Sequence, residues 1–226
     1  IGNLDSLTYL YLDDLQLSSL PTSIGNLSNL TDLSIESNYL VEIPESIYQL
    51  PNLITINASS NQLTSIPESV NLPNLEELYF NGNQISSLPY SIENSNYLRI
   101  FYFNDNEFSE FPETICNIDY ITDPDFHMSI RLERNNLTAL PECICDLPYG
   151  FGISVGDNAI CDEYNFDCIN DNGLGNQDES NCDECGVTDG DGVLDDCGVC
   201  NGGNVDMDDC GVCNGDGIAD GDCDCN

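Results

Sequence analysis

Between Leu75 and Tyr97 the chain reads LEELYFNGNQISSLPYSIENSNY, with apolar side chains at Leu75, Leu78, Phe80, Ile85, Leu88 and Ile92. The same spacing returns as Leu30, Leu33, Ile35, Leu40, Ile43 and Ile47, and again as Leu98, Phe101, Phe103, Phe108, Phe111 and Ile115. The interval is 23 residues, from Leu7 to Leu30 and from Leu75 to Leu98, and the copy that starts at Leu53 is one residue short. Leu78 and Phe80 alternate with Tyr79, so they leave one side of a short extended segment while Tyr79 leaves the other. One such strand buries almost nothing alone. Stacked copies form a parallel sheet whose apolar side is closed by the return limb of each coil.

Two more columns mark where each coil turns. Asn38, Asn61, Asn83, Asn106, Asn135 and Asn158 recur at the end of the strand segment. A buried amide there bonds backbone groups that no strand satisfies. Pro21, Pro44, Pro67, Pro89, Pro112 and Pro141 open the return limb. Proline has a fixed φ and needs no amide partner, so it starts a short helical turn, and the Ile or Val three residues on points inward.

The combined pattern, LxxLxLxxNxL followed by LPxxIxxL, resembles the leucine-rich repeat family over about two thirds of the chain. The resemblance implies an α/β fold: a right-handed solenoid with a parallel concave sheet over residues 1–160. This LPxxIxxL form is similar to the Ras-group type of these repeats, which is usually intracellular. Repeats begin at Leu7, Leu30, Leu53, Leu75 and Leu98; the next is offset to His127, which leaves residues 121–126 (ITDPDF) as an insertion. A degenerate copy runs through Ile153, Val155, Asn158 and Ile160. At the other end, Ile1-Gly2-Asn3-Leu4 repeats Ile24-Gly25-Asn26-Leu27, so the chain is expected to open within a return limb whose strand lies upstream.

After the last repeat the composition changes. Residues 161–182 are expected to form a cap, because a solenoid end exposes an apolar cross-section that an atypical unit must cover. Cys161, Cys168 and Cys182 are its expected staples. Cys116 and Cys145 share a column of adjacent coils and are within disulfide reach, with Cys143 and Cys161 as competing partners of Cys145. Residues 183–226 repeat DDCGVCNG and lack large hydrophobes, so cross-links or metal must order them. Arrays of this kind look like those of large secreted or surface proteins of environmental bacteria.

Charge narrows the function classes. The 226 residues carry a formal net charge of -38, with three Lys or Arg in all. Nucleic acid and anionic membrane surfaces need basic patches, and both are disfavoured. No apolar run approaches the roughly 20 residues of a membrane span. Thirteen cysteines point to an oxidising compartment, and hence to a secreted or cell-surface protein. The N-x-S/T sequons at Asn26, Asn29, Asn57 and Asn136 would carry glycans only in a host equipped to add them.

The chain's basic residues are Arg99, Arg131 and Arg134, all at outward positions of two neighbouring repeats. Tyr79, Tyr102 and Arg131 are expected side by side on the open sheet face. Aromatic residues and arginine carry binding energy at interfaces, so Tyr79, Arg99, Tyr102, Arg131 and Arg134 form the candidate ligand patch. The competing reading is that the arginines offset Glu76, Glu77, Asp105 and Glu133. The sole histidine, His127, stands at a usually inward position and reads as packing. No nucleophile has a plausible base, so no enzyme activity or organic cofactor is expected.

The acidic tail offers a metal reading. Asp189, Asp191 and Asp195, and likewise Asn214, Asp216 and Asp220, lie in DxDGxxD-type stretches. These look like the loops of thrombospondin type 3 repeats and dockerins, and alternating hard oxygens suit Ca²⁺. The repeated CxxC units, with CxxCxGxG from Cys210 to Gly217, are similar to the zinc-binding repeats of J-domain co-chaperones and make Zn²⁺ the alternative. The leading expectation is a recognition module for a protein or glycan ligand. The alternatives are an adhesive spacer of a larger extracellular protein with a Ca²⁺-stiffened tail, and an intracellular scaffold with a zinc-binding tail. Oligomeric state is not encoded in these patterns.

Overall fold

Seven three-residue strands stack in chain order into one parallel sheet, β1 to β7. They are Tyr9–Tyr11, Asp32–Ser34, Thr55–Asn57, Glu77–Tyr79, Ile100–Tyr102, Ser129–Arg131 and Gly152–Ser154. These come from a computed structural model that describes residues 1–118, 127–147, 152–161, 169, 171–183 and 193–195. The central residue of every strand faces inward, and Leu10, Leu33, Ile56, Leu78, Phe101, Ile130 and Ile153 stand in register. The register is the one the sequence period predicts. The fold is a leucine-rich repeat solenoid.

Five coils return through a 3₁₀ turn instead of an α-helix, while the short third coil, after Pro67, returns through a plain turn. Thr22–Asn26, Glu45–Gln49, Tyr90–Asn94, Glu113–Asn117 and Glu142–Asp146 each follow a proline of the proline column. The proline carbonyl accepts the amide of the inward isoleucine, as in Ile24 N to Pro21 O at 3.1 Å and Ile115 N to Pro112 O at 3.0 Å. That i to i+3 closure makes the turn 3₁₀ and drives the isoleucine into the core. The turns of the first two coils approach so closely that a Cβ on Gly25 would lie 2.3 Å from Ser46 Cβ.

The asparagine column is a continuous ladder. Asn106 Nδ2 donates to Phe80 O at 2.9 Å and Phe103 O at 3.1 Å, and its Oδ1 accepts from Ile85 N at 2.9 Å. Asn61, Asn83, Asn135 and Asn158 repeat this triple bond to their own coil and the coil before. The residue before each asparagine takes positive φ: Ser37 55°, Ser60 56°, Gly82 69°, Asp105 58°, Arg134 53° and Asp157 55°. The bend therefore holds residues with side chains in the left-handed region, at about 1 kcal/mol or more apiece.

Three details depart from expectation. His127 is exposed, and Met128 fills the inward place at 2% exposure. Burying the apolar thioether removes more apolar area from water than burying an imidazole, which also needs a polar partner. The second departure is Cys116, which pairs with Cys143 and not with Cys145. Successive residues of a 3₁₀ turn are 120° apart, so the residues before and after the inward isoleucine lie to opposite sides. Cys143 precedes Ile144 and meets the earlier coil, where Cys116 follows Ile115. Cys145, which follows Ile144 as Cys116 follows Ile115, is disulfide-bonded as well. The third departure is at the end of the ladder, where a glutamine of the cap supplies the last rung. Gln177 Oε1 accepts from Ile160 N at 3.2 Å, and its Nε2 donates to Val155 O at 3.0 Å and Leu174 O at 2.5 Å.

Around that rung the cap holds a short helix α1, Asp171–Leu174, and a Cys161–Cys182 disulfide. Cys168 lies outside the described residues. The Cys116–Cys143 cross-link closes a 27-residue separation that spans two coils. Replacing both cysteines by serine is expected to cost roughly 3 kcal/mol through the loop entropy returned to the unfolded chain. Urea unfolding of the double variant beside the oxidised parent checks this, and equal midpoints would contradict it.

Candidate ligand-binding surface

The strand pleat sends Tyr11, Ser34, Asn57, Tyr79, Tyr102, Arg131 and Ser154 outward as one column on the concave face. Within it, Tyr79 and Tyr102 meet edge to face, with ring centroids 5.3 Å apart and planes at 87°. The Arg131 guanidinium carbon stands 4.5 Å from the centroid of the Tyr102 ring. Three consecutive coils therefore present two interlocked rings with a cation on the second. Such edge-to-face and cation–π contacts hold side chains in place at a modest gain each.

The flanks are polar and fixed. Tyr79 Oη donates to Glu77 Oε2 at 3.1 Å. Partial burial, with the Glu77 charge beside it, pushes the Tyr79 hydroxyl up to about 12. It stays a neutral donor at physiological pH. Ser129 Oγ lies 3.4 Å from Tyr102 Oη.

The three arginines divide. Arg99 is held by Glu76 at 2.9 Å and Glu77 at 2.7 Å. Arg134 grips Asp105 through both Nε and Nη2. Those hydrogen bonds hold the Asp105 carboxyl below its ordinary range. Both pairs are largely exposed and contribute little to stability. Arg131 forms no ion pair among the described residues. Glu133, two residues along the same strand direction, keeps one buried carboxylate oxygen, Oε2, without a hydrogen-bond partner. The candidate patch thus separates into a Tyr79–Tyr102–Arg131 centre and two arginines already engaged by carboxylates.

Other candidate residues lie elsewhere. Of the expected metal ligands, Asp195 alone falls among the described residues; Asp189, Asp191, Asn214, Asp216 and Asp220 lie outside them, as does the insertion at 121–126. Asn57, on the concave column, donates to Glu36 Oε2 at 2.8 Å, so this sequon amide is already engaged. The N-terminal end of the same face carries a feature that reasoning from the arginines passed over. Tyr9 and Tyr11 are 58% and 62% exposed there, beside carboxylates that form no ion pair among the described residues. Their place in the outward columns was the available signal.

Comparison with known proteins agrees with this architecture. A model described as leucine-rich repeat region matches residues 1–83, and a second, described as leucine rich repeat, matches residues 74–95. A leucine-rich repeat protein of Leptospira interrogans superposes with a TM-score of 0.55 at 28% identity, over 71% of this chain and 45% of that one. The leucine-rich repeat ectodomain of the Arabidopsis thaliana membrane receptor kinase GASSHO1/SCHENGEN3, solved in complex with Casparian strip integrity factor 2, superposes with a TM-score of 0.58 at 24% identity. That match covers 70% of this chain and 19% of the ectodomain. The chain therefore spans less than half the length of either structure. No curated protein matches it.

Proposed function

We propose that the solenoid is a non-catalytic recognition module that holds a protein partner on its concave face, centred on Tyr79, Tyr102 and Arg131. The observation that carries this reading is Arg131: in a chain of net charge -38, it alone of the three arginines has no carboxylate partner among the described residues. Carboxylates are abundant, yet the guanidinium rests on an aromatic ring. Tyrosine and arginine held rigid at the centre of a concave surface are the side chains from which interface hot spots are made. Leucine-rich repeat solenoids are typically binding modules, and the Arabidopsis ectodomain was solved in complex with Casparian strip integrity factor 2. The disulfides Cys116–Cys143 and Cys161–Cys182 support a secreted or surface-exposed setting, where such bonds persist.

The test uses a displayed random-peptide library, selected on the native protein and counter-selected on the Tyr102→Ala/Arg131→Ala variant. Both side chains reach the surface, so the variant should keep its melting temperature. Enriched peptides should bind the native protein at least about tenfold more tightly, as the loss of a hot-spot pair requires. Failure to enrich any peptide dependent on this pair would overturn the proposal.

A further inference from the structure

The concave face is not uniform along the solenoid axis. In the first two coils Asp13, Asp32 and Glu36 point outward, and their hydrogen bonds come from neutral groups only. Asp13 Oδ1 accepts from Ser34 Oγ at 2.5 Å and Glu36 N at 2.8 Å. Asp32 Oδ2 accepts from Thr31 Oγ1 at 2.6 Å, and Glu36 Oε2 from Asn57 Nδ2 at 2.8 Å. None of the three has a cation, because every ion pair among the described residues uses Arg99 or Arg134. Tyr9 and Tyr11 stand beside them, with ring centroids 6.5 Å apart. Exposed tyrosine faces next to unneutralised carboxylates form a surface that favours Lys or Arg. The third coil offers neutral Thr55 and Asn57, and in the fourth Glu77 is neutralised by Arg99. The sixth coil ends the series with Arg131, which forms no ion pair among the described residues, and Glu133 beside it.

The face therefore runs from unneutralised carboxylates, through neutral positions, to a coil where a cation without an ion pair, Arg131, stands beside Glu133. From β1 to β6 there are five strand spacings, about 24 Å. An extended segment of about seven residues covers that distance. Resting on the recognition reading above, we infer that the partner segment lies along the solenoid axis in one direction, with a carboxylate side chain on Arg131 and basic side chains over Asp13, Asp32 and Glu36. Turned end for end, the same segment would set its carboxylate against the unneutralised Asp13, Asp32 and Glu36 and leave Arg131 without an anion, so the asymmetry selects orientation as well as partner.

The anion is a carboxylate and not a phosphate. A planar carboxylate matches the guanidinium fork. A phosphate dianion would meet a single cation flanked by Glu133 and within the field of a strongly acidic protein, and it would be repelled about twice as strongly as a monoanion.

The experiment takes the tightest peptide from the counter-selection and measures its affinity for the full chain. It should contain an acidic residue and, about seven positions away, one or more basic residues. Arg131→Glu should weaken it about thirtyfold, and exchanging the peptide's acidic residue for Arg should restore most of that loss. Asp13→Asn/Asp32→Asn/Glu36→Gln should weaken it about tenfold, and this loss should vanish once the peptide's basic residues are replaced by Gln. Phosphoserine in place of the acidic residue should bind more weakly than aspartate; tighter binding would overturn the carboxylate assignment. Peptides that depend on Tyr102 and Arg131 but carry no acidic residue, or whose charge exchange rescues nothing, would overturn the fixed direction while leaving the recognition reading intact. If no peptide depends on that pair, both fall.

Discussion

Asn83→Ala and Asn106→Ala, combined, should destabilise the solenoid by about 7 kcal/mol, against about 3 kcal/mol for either alone. The excess has a specific source. Each ladder amide donates to a carbonyl of its own coil and to the equivalent carbonyl of the coil before. Every inner carbonyl is therefore served twice: Phe80 O accepts from Asn83 Nδ2 at 3.0 Å and from Asn106 Nδ2 at 2.9 Å. Removing one asparagine strands a single amide, Leu63 N or Ile85 N, and leaves the shared carbonyl with its other donor. Removing both takes away every donor to Phe80 O. Burying that carbonyl unpaired adds about 1–3 kcal/mol that neither single variant shows. Asn61→Ala with Asn106→Ala is the control, because those two rungs share no carbonyl and should add. Urea and thermal unfolding of the two pairs, followed by circular dichroism, decide the matter. Equal destabilisation by the adjacent and the separated pair would show that the ladder is a set of independent bonds.

The ladder also shows which features were legible in the sequence. The 23-residue period, with the sixth copy set back by the six-residue insertion at 121–126, placed Leu78, Phe101 and Ile130 in one interior column, and Tyr79, Tyr102 and Arg131 in register on the other side, because strand alternation allows no other assignment. The proline column located the return limbs for a similar reason: fixed φ and a missing donor suit few other places. What escaped was set by competition between neighbours. Whether His127 or Met128 turned inward depended on an irregular entry to the sixth coil that the period does not describe. The partner of Cys116 depended on the 120° step of a 3₁₀ turn, which a column alignment treats as equivalent on both sides. Gln177 does the work of an asparagine outside the repeat spacing, 19 residues after Asn158 instead of 23, so the pattern could not find it. The same limit applied to the patch. Sequence put three arginines on one face, but only side-chain geometry separated Arg131 from the two that carboxylates already hold.

The second large effect lies in the core beneath that patch. Phe103→Ala is expected to cost about 5 kcal/mol, near the upper end for removing a buried aromatic ring. Phe103 is fully buried and touches three other rings: Phe101 stacked at 4.2 Å, Phe80 stacked at 5.3 Å and Phe108 edge-on at 5.8 Å between centroids. These rings come from adjacent coils and from both limbs of the fifth, so the ring removed joins elements as well as filling space. The stack has no equivalent toward the N-terminus, where Ala58 occupies the column position next to Phe80. Because a solenoid gains stability through nearest-neighbour interfaces, a cavity here should weaken coupling between the fourth and fifth coils and broaden the unfolding transition, not merely shift it. Phe103→Leu retains most of the volume and should cost less than half as much, with a transition as sharp as the parent's. Since Tyr79 and Tyr102 ride on the strands directly above these rings, the alanine variant should also lose affinity for peptides that depend on the concave pair, while the leucine variant keeps it. Full peptide affinity in a Phe103→Ala protein that has lost several kcal/mol of stability would show that the aromatic centre is positioned by the sheet alone and not by the packed rings behind it.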